Sequence, residues 1–443
     1  MHSPVDLAEL DRTYRDHIAW LAAEYARVLP ATGFDAVVIH SGTPKSRSMF
    51  DDQYWPLRAT PHFQHWLPLE TANSALVFRP GAKPKLVWNN GYGFWEAPAP
   101  PETDHFWPSL DVVEVKDATK MKDHLPTSAK SAFIGEDMTD AGAWGFTADR
   151  INPKALLSEL DRLRVLKTPY ELLCLREANR RAGLGHAKVI DAFQRGDHSE
   201  LQLHLMYLEA TAQDDAETPY KNIVALGEHA ATLHHVSYGK TRSSAQSLLL
   251  DAGASYQGYD SDITRTVMKG KASASDVFAG LIAKMETLQQ ETCRRVKLGM
   301  PYQDLHDQSH QLLAPVLRDL GIASGSDAEL VDTGVTRTFL PHGLGHSLGL
   351  QTHDVGCAAI KPDPKNPFLR NTTKVAAGQV FTIEPGCYFI TSLLDELKAK
   401  PQGKLVNWKL VDDLKKYGGV RIEDDLAIGT ARVENFTREF LAG

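Results

Sequence analysis

The segment LLLDAGASYQGYDSDITRTV places Asp251 and Asp262 on either side of a glycine-containing turn between two apolar runs. A hairpin of that span can bring both carboxylates to one place, and two buried anions repel unless a cation lies between them. The competing reading is that both acids cap turns, since Asp beside Gly is a turn signal. A second segment, PHGLGHSLGLQTHD, supplies His342, His346 and His353 among Gly343, Gly345 and Gly349. Glycine at that density disfavours a regular helix, so these histidines are expected on irregular or extended backbone that can approach a site closely. Imidazole is the commonest nitrogen ligand and the usual proton carrier near neutral pH. Glu384 in VFTIEPG and Glu423 in GVRIEDDLAI each stand in a strand-like apolar run, where glutamate is depleted and costly to bury without a partner. A salt bridge could satisfy either one, and Arg421 shares a face with Glu423 because residues two apart in a strand point the same way.

Taken together, Asp251, Asp262, His346, Glu384 and Glu423 are an oxygen-rich set with one nitrogen and no sulfur. Such a set suits Mn, Co, Zn or Fe, whereas a structural zinc site normally brings thiolates. Shared between two ions, these ligands would have to include bridging carboxylates. Two neighbouring metals can polarise an electrophile and generate hydroxide at neutral pH, the chemistry of a hydrolase.

The positions between these residues call for particular elements. Leu7, Leu10, Tyr14, Ile18 and Leu21 recur every three or four residues and predict a first helix. The runs FDAVVIH, SALVFRP, PKLVWNN, VVEV and SAFIGE, separated by Pro, Gly and Asn, predict strands. Residues 1–158 therefore form an expected α/β domain. A charged helical pair follows over about 155–193, and residues 159–443 mix long helical stretches with strand-like runs, an α+β pattern. No internal repeat or low-complexity tract interrupts this pattern.

Bulk properties narrow the partners. Lys and Arg total 48 against 56 Asp and Glu, so no overall basic field exists to collect nucleic acid or an anionic membrane. Cys174, Cys293, Cys357 and Cys387 make neither a CxxC pair nor a compact framework, which predicts free thiols and a reducing compartment. The N-terminal residues lack a basic start followed by an apolar stretch, and no run approaches the ~18 apolar residues of a membrane span. The expectation is a cytoplasmic protein.

The four chemistry-bearing segments, in this order and spacing, resemble those of the dinuclear pita-bread metallopeptidases, which include proline-specific and methionine aminopeptidases and prolidases. The resemblance extends along the whole chain to bacterial prolidases and the related organophosphorus acid anhydrolases, through HSG, FDDQYWPL, TPYKNIVALGEHAATLHH and VENFTRE. It implies an α/β N-terminal domain with an α+β pita-bread catalytic domain, and two divalent cations per subunit, manganese being expected with cobalt or zinc as alternatives. In the family pattern Asp251 binds one ion, His346 and Glu384 the other, and Asp262 and Glu423 bridge; Glu384 also takes the proton of the attacking water. His234, His342 and His353 would meet substrate and the tetrahedral intermediate, and Arg421 would orient a bridging carboxylate. Arg370 would grip the C-terminal carboxylate of a dipeptide, Tyr220 and Tyr302 would line the pocket, and Asp52 would reach from a neighbouring subunit toward the substrate amine, implying a homodimer.

The implied reaction is hydrolysis of dipeptides with proline in the second position. The alternatives are organophosphorus hydrolysis in the same pocket and a catalytically silent binding protein on the same fold. One departure stands out: Asp260 and Ser261 occupy positions where relatives of this kind carry two small apolar residues. Asp260 could tune metal affinity or simply point to solvent.

Overall fold

In the computed structural model of the protein, residues 5–91, 94, 105–126, 129–269, 276–356 and 361–441 are described. Packing divides the chain into two units, Ser3–Cys174 and Leu175–Gly443. The sequence expectation places the division at 158/159, where composition changes; the packing boundary falls later, inside the helix Pro169–Arg195.

The first unit begins with the expected helix, Leu7–Ala31, started by Asp6, whose carboxylate accepts the Ala8 amide. Its buried face carries Leu10, Tyr14, Ile18 and Leu21, but Leu7, in the first turn, is exposed. The five apolar runs become β1 (Ala36–His40), β2 (Ala75–Phe78), β3 (Lys85–Asn89), β4 (Asp111–Val115) and β5 (Ser131–Ile134). They form one mixed sheet in the order β4-β3-β2-β1-β5, with β1/β5 and β3/β4 parallel and the other pairs antiparallel. β1, β2 and β5 are buried throughout, so they read as unbroken apolar runs; β4, at the edge, is largely exposed. The charged stretch after them folds as the helix Lys154–Val165 followed by Pro169–Arg195, the expected helical pair.

In the second unit β6 (Ile223–Leu226), β7 (Ser247–Asp251) and β10 (Thr264–Met268) make an antiparallel sheet with β7 in the middle. A short hairpin, β8 (Ser255–Tyr256) with β9 (Tyr259–Asp260), fills the connection between β7 and β10. The two glutamate-bearing runs are not single strands. VFTIEPGCYFI divides into β11 (Val380–Ile383) and β12 (Gly386–Tyr388), and GVRIEDDLAI into β13 (Gly419–Arg421) and β14 (Asp424–Ile428). β11 pairs with β14 and β12 with β13, while β15 (Val433–Asn435) extends the β14 edge. Glu384 and Glu423 thus sit at the two breaks, where the ladder changes partner. Beneath them the helices Val277–Arg295 and Tyr302–Asp319 pack on an apolar cluster that includes Phe278, Leu281, Met285, Leu313, Leu317 and Ile422. Burying side chains of this size contributes about 1.5–3 kcal/mol each before chain entropy is counted.

Cys293 and Cys387 are free thiols, Cys174 is buried, and Cys357 lies outside the described residues. No helix among the described residues is long and apolar enough to cross a membrane.

Candidate metal centre

The β7–β10 register builds half of the site. Asp251, the last residue of β7, is paired directly with Thr264 across an antiparallel ladder, so their side chains share a face, and Asp262 lies two residues before Thr264. Thr264 is also bridged to Glu423, whose amide donates to the Thr264 carbonyl. The Thr264 hydroxyl donates to Glu423 Oε2 over 2.7 Å. The end of β7, the approach to β10 and the β13–β14 break therefore bring Asp251, Asp262 and Glu423 together, although Asp262 and Glu423 are 161 positions apart in the chain (423 − 262).

The other half comes from the histidine segment, which runs antiparallel beside β11. Ser347 is bridged to Phe381, the Thr382 amide donates to the His346 carbonyl (2.9 Å), and the Glu384 amide to that of Leu344 (2.8 Å). A side chain at Gly345 would collide with the Thr382 carbonyl oxygen, so glycine is required for this approach. The result places His346 Nε2 at 3.4 Å from Asp262 Oδ2, 3.8 Å from Glu384 Oε1 and 3.9 Å from Glu423 Oε1. Ligand atoms that each reach a cation at about 2.0–2.2 Å stand at separations of this order.

The electrostatics call for positive charge. Burial raises the carboxyls of Asp262 and Glu423 well above the usual range, and neighbouring carboxylates push them further: Asp251 acts on Asp262, and Asp262 with Glu384 on Glu423. Burial likewise pushes Glu384 up to about 7, His346 and Arg421 only partly offsetting it. Glu423 Oε1 is buried without a hydrogen-bond partner. An ionised carboxylate oxygen left so in a dry site is very costly unless a cation meets it. The Tyr220 hydroxyl contacts both Asp251 Oδ1 (2.7 Å) and Asp262 Oδ1, and its single proton can serve only one of them at a time. These donors fit divalent cations.

Arg421 is buried in the same place, but its partner differs from the one sequence suggests. Its guanidinium donates to Asp251 Oδ2, to the Tyr388 hydroxyl (2.9 Å) and to Thr264 Oγ1 (3.2 Å). The expected Glu423 pair is replaced because the β10/β13 packing turns Arg421 toward the end of β7. It therefore orients Asp251, a terminal ligand in the family pattern, rather than a bridging carboxylate.

Among the outer histidines, His342 is engaged by the protein itself. Its Nδ1 lies 2.7 Å from the Gly343 carbonyl and its Nε2 2.9 Å from the Tyr388 hydroxyl. With Nδ1–H donated to Gly343, Nε2 accepts from Tyr388; burial pushes this imidazole down to about 3, so it stays neutral. His353 is exposed and stands edge-on to His346 with ring centroids 4.4 Å apart. Its pKa is lowered to about 3, first by burial and then by the neighbouring His346. Arg370 and His234 are themselves exposed.

One expected pocket residue lies elsewhere. Tyr302 is fully buried in an apolar cluster with Leu344 and Phe381, and its hydroxyl donates to the Thr382 carbonyl (2.8 Å). It braces β11 from behind rather than lining a pocket. Asp52 lies on the exposed surface of the first unit, hydrogen-bonded by Gln53. Asp260, by contrast, does not point to solvent. It is fully buried, accepting from Ser255 Oγ (2.6 Å) and Thr352 Oγ1 (3.2 Å), and so ties the β8–β9 hairpin to the segment that follows His346.

Sequence reasoning missed Tyr388, Thr264 and Asp425. Tyr388 links Arg421 to His342. Asp425 Oδ2 accepts the Asp262 amide (3.1 Å) and the Asn179 side chain (2.8 Å), holding the Asp262 backbone. Nothing local in the sequence announces that contact.

Comparison with known proteins agrees with this arrangement. Residues 173–430 match metallopeptidase family M24, and residues 12–161 match the Xaa-Pro dipeptidase N-terminal domain. The Xaa-Pro dipeptidase of Shewanella woodyi is 42% identical, covering 97% of this chain and 99% of its own. That of Pseudoalteromonas atlantica is 39% identical, covering 98% and 99%. Among solved structures, proline aminopeptidase P II from Yersinia pestis superposes with a TM-score of 0.71 at 19% identity, over 98% of this chain and 97% of that one. Zn-substituted Escherichia coli aminopeptidase P gives 0.70 at 20%, over 100% and 97%. At that identity the structural likeness establishes the fold: an α/β N-terminal domain and a pita-bread catalytic domain.

Proposed function

The chain belongs to metallopeptidase family M24, and on that premise we propose that it hydrolyses dipeptides with proline in the second position. Two divalent cations would be held by Asp251, Asp262, His346, Glu384 and Glu423. The observation that carries this reading is the convergence of three carboxylates, Asp262, Glu384 and Glu423, on His346, with Glu423 Oε1 buried and unpartnered. The whole-length match to proteins called Xaa-Pro dipeptidase supplies the substrate class. A silent relative would have lost ligands, whereas all five are here and gathered.

When bound, the cations supply Lewis acidity and a water acidic enough to serve as nucleophile near neutral pH. The chain's own groups supply the rest. Glu384 is the most accessible of the four carboxylates and stands 3.8 Å from both His342 and His346. It is placed to take a proton from the attacking water and return it to the leaving proline nitrogen. His353 and His234 donate to the oxygen that becomes negative as the peptide carbon turns tetrahedral. His342, with both ring nitrogens engaged, instead fixes Tyr388 and through it Arg421. Arg370 pairs with the substrate's C-terminal carboxylate through its planar fork. Manganese fits the oxygen-rich donor set.

The segment Lys45–Trp55 is closed by the Ser46/Tyr54 bridge and exposes Met49 and Phe50 at 88% and 90%. Such exposed apolar side chains suit an interface. This hairpin would carry Asp52 to the substrate amine in a second copy, giving a homodimer, and the free thiols suit a reducing cytoplasm.

The test is manganese-loaded protein assayed on Gly-Pro and Leu-Pro: release of proline is expected. No release, with longer peptides cleaved, would overturn the dipeptidase reading. Arg370→Ala is expected to raise KM for Gly-Pro by about tenfold, the equivalent of ~1.4 kcal/mol, with kcat changed less. An unchanged KM would remove Arg370 from the carboxylate.

A further inference from the structure

Glu200 opens the helix Glu200–Thr211, immediately after Ser199, which forms a reciprocal cap with Gln202. An acid in a first turn usually faces water, where the helix dipole favours it. This one is 2% exposed and its carboxylate turns sideways into the loop after β6. Oε1 accepts the Leu226 amide (2.9 Å) and His229 Nδ1 (2.6 Å). Oε2 accepts the Gly239 amide (2.7 Å) and His235 Nε2 (2.9 Å). Four donors fill the four lone-pair positions of a carboxylate, and all four come from residues 226–239.

The two imidazoles stack, with centroids 4.6 Å apart and planes at 29°, each addressing its own oxygen. Parallel rings on separate oxygens, with two backbone amides completing the set, make a clasp rather than convergent ligands around an ion. Burial raises the Glu200 carboxyl, but the Gly239 and Leu226 amides and the two histidines more than offset this and lower it. Glu200 is therefore anionic at neutral pH, and its bonds are charge-assisted.

The clasped segment carries His234. Its inner side is seated by Ala230 and Leu233 on the cluster of Ile223, Leu249 and Tyr388. We propose that Glu200 is a positioning residue for His234: by closing residues 226–239 on one buried carboxylate, it sets where that imidazole stands. The inference rests on the reading of His234 as a substrate contact. Hydrogen bonds that hold a reacting group in place matter because a misplacement of about 1 Å can cost up to about a hundredfold in rate.

The experiment is a double-mutant cycle on manganese-loaded protein with Gly-Pro, using Glu200→Gln and His234→Ala, together with amide exchange over residues 226–239. Gln puts an N–H where two donors point and removes the charge. Glu200→Gln is expected to lower kcat/KM about tenfold, to speed exchange in the segment, and to leave two metals per chain. In the His234→Ala background it should cost nothing further. Effects that multiply, or unchanged exchange, would overturn the clasp. If His234→Ala leaves kcat/KM unaltered, the substrate role of His234 falls and the positioning proposal with it, while Gly-Pro cleavage itself still stands. Should Glu200→Gln fail to fold, His235→Ala, which removes one donor and keeps the backbone bonds, takes its place in the cycle with the same expectations.

Discussion

Asp262→Asn is expected to lower kcat/KM on Gly-Pro by at least about a hundredfold and to reduce bound metal below two per chain. Asp262 stands at the centre of the cluster, 3.4 Å from His346 Nε2 and against the Tyr220 hydroxyl beside Asp251. The asparagine side chain keeps the volume but loses the charge and one acceptor oxygen, and a neutral amide cannot bridge two cations. Replacing a mere supporting partner of a ligand costs about 10- to 100-fold in affinity or activity, so loss of a shared ligand sets that range as a floor. Metal content by elemental analysis and steady-state kinetics read the two effects separately. Full activity with two ions per chain would mean that Asp262 is not shared between them.

Arg421→Met should lower kcat/KM by about 10- to 100-fold while two metals remain bound. The side chain is buried and donates to Asp251, Tyr388 and Thr264, so its loss frees Asp251 from the direction it now faces and breaks the link to His342. Removing one member of a buried pair costs about 3–5 kcal/mol because the other charge is stranded. Bound cations would neutralise Asp251, so the destabilisation should be larger in chelator-treated protein than in loaded protein. Arg421→Lys should recover part of the activity: it keeps the charge but not the planar fork that reaches several acceptors at once. Thermal unfolding with and without manganese gives the comparison. Equal destabilisation in both states would show that Asp251 does not depend on Arg421 for its counter-charge.

Much of the site was legible because its signals are local. The strands β1 to β5 announce themselves as apolar runs between turn residues, and the first helix by its three-to-four spacing. Leu7 fits that spacing yet is exposed, since periodicity names a face but not how far along the helix the packing extends. The two glutamates were conspicuous because an acid in an apolar run has no local reason to be there. Their runs nevertheless break at Glu384 and Glu423, because each half of a run finds a different neighbouring strand.

What the sequence by itself determined is the donor chemistry: which side chains are acids or imidazoles, because side-chain identity sets charge and donor type whatever the rest of the chain does. Only the tertiary structure decided who meets whom. It turned Arg421 to Asp251 instead of Glu423, buried Tyr302 behind β11, engaged both nitrogens of His342, and drew Asp260 inward to Thr352. Those choices depend on the register between strands and segments remote in the chain. A shift of one residue in such a register would send every side chain to the opposite face.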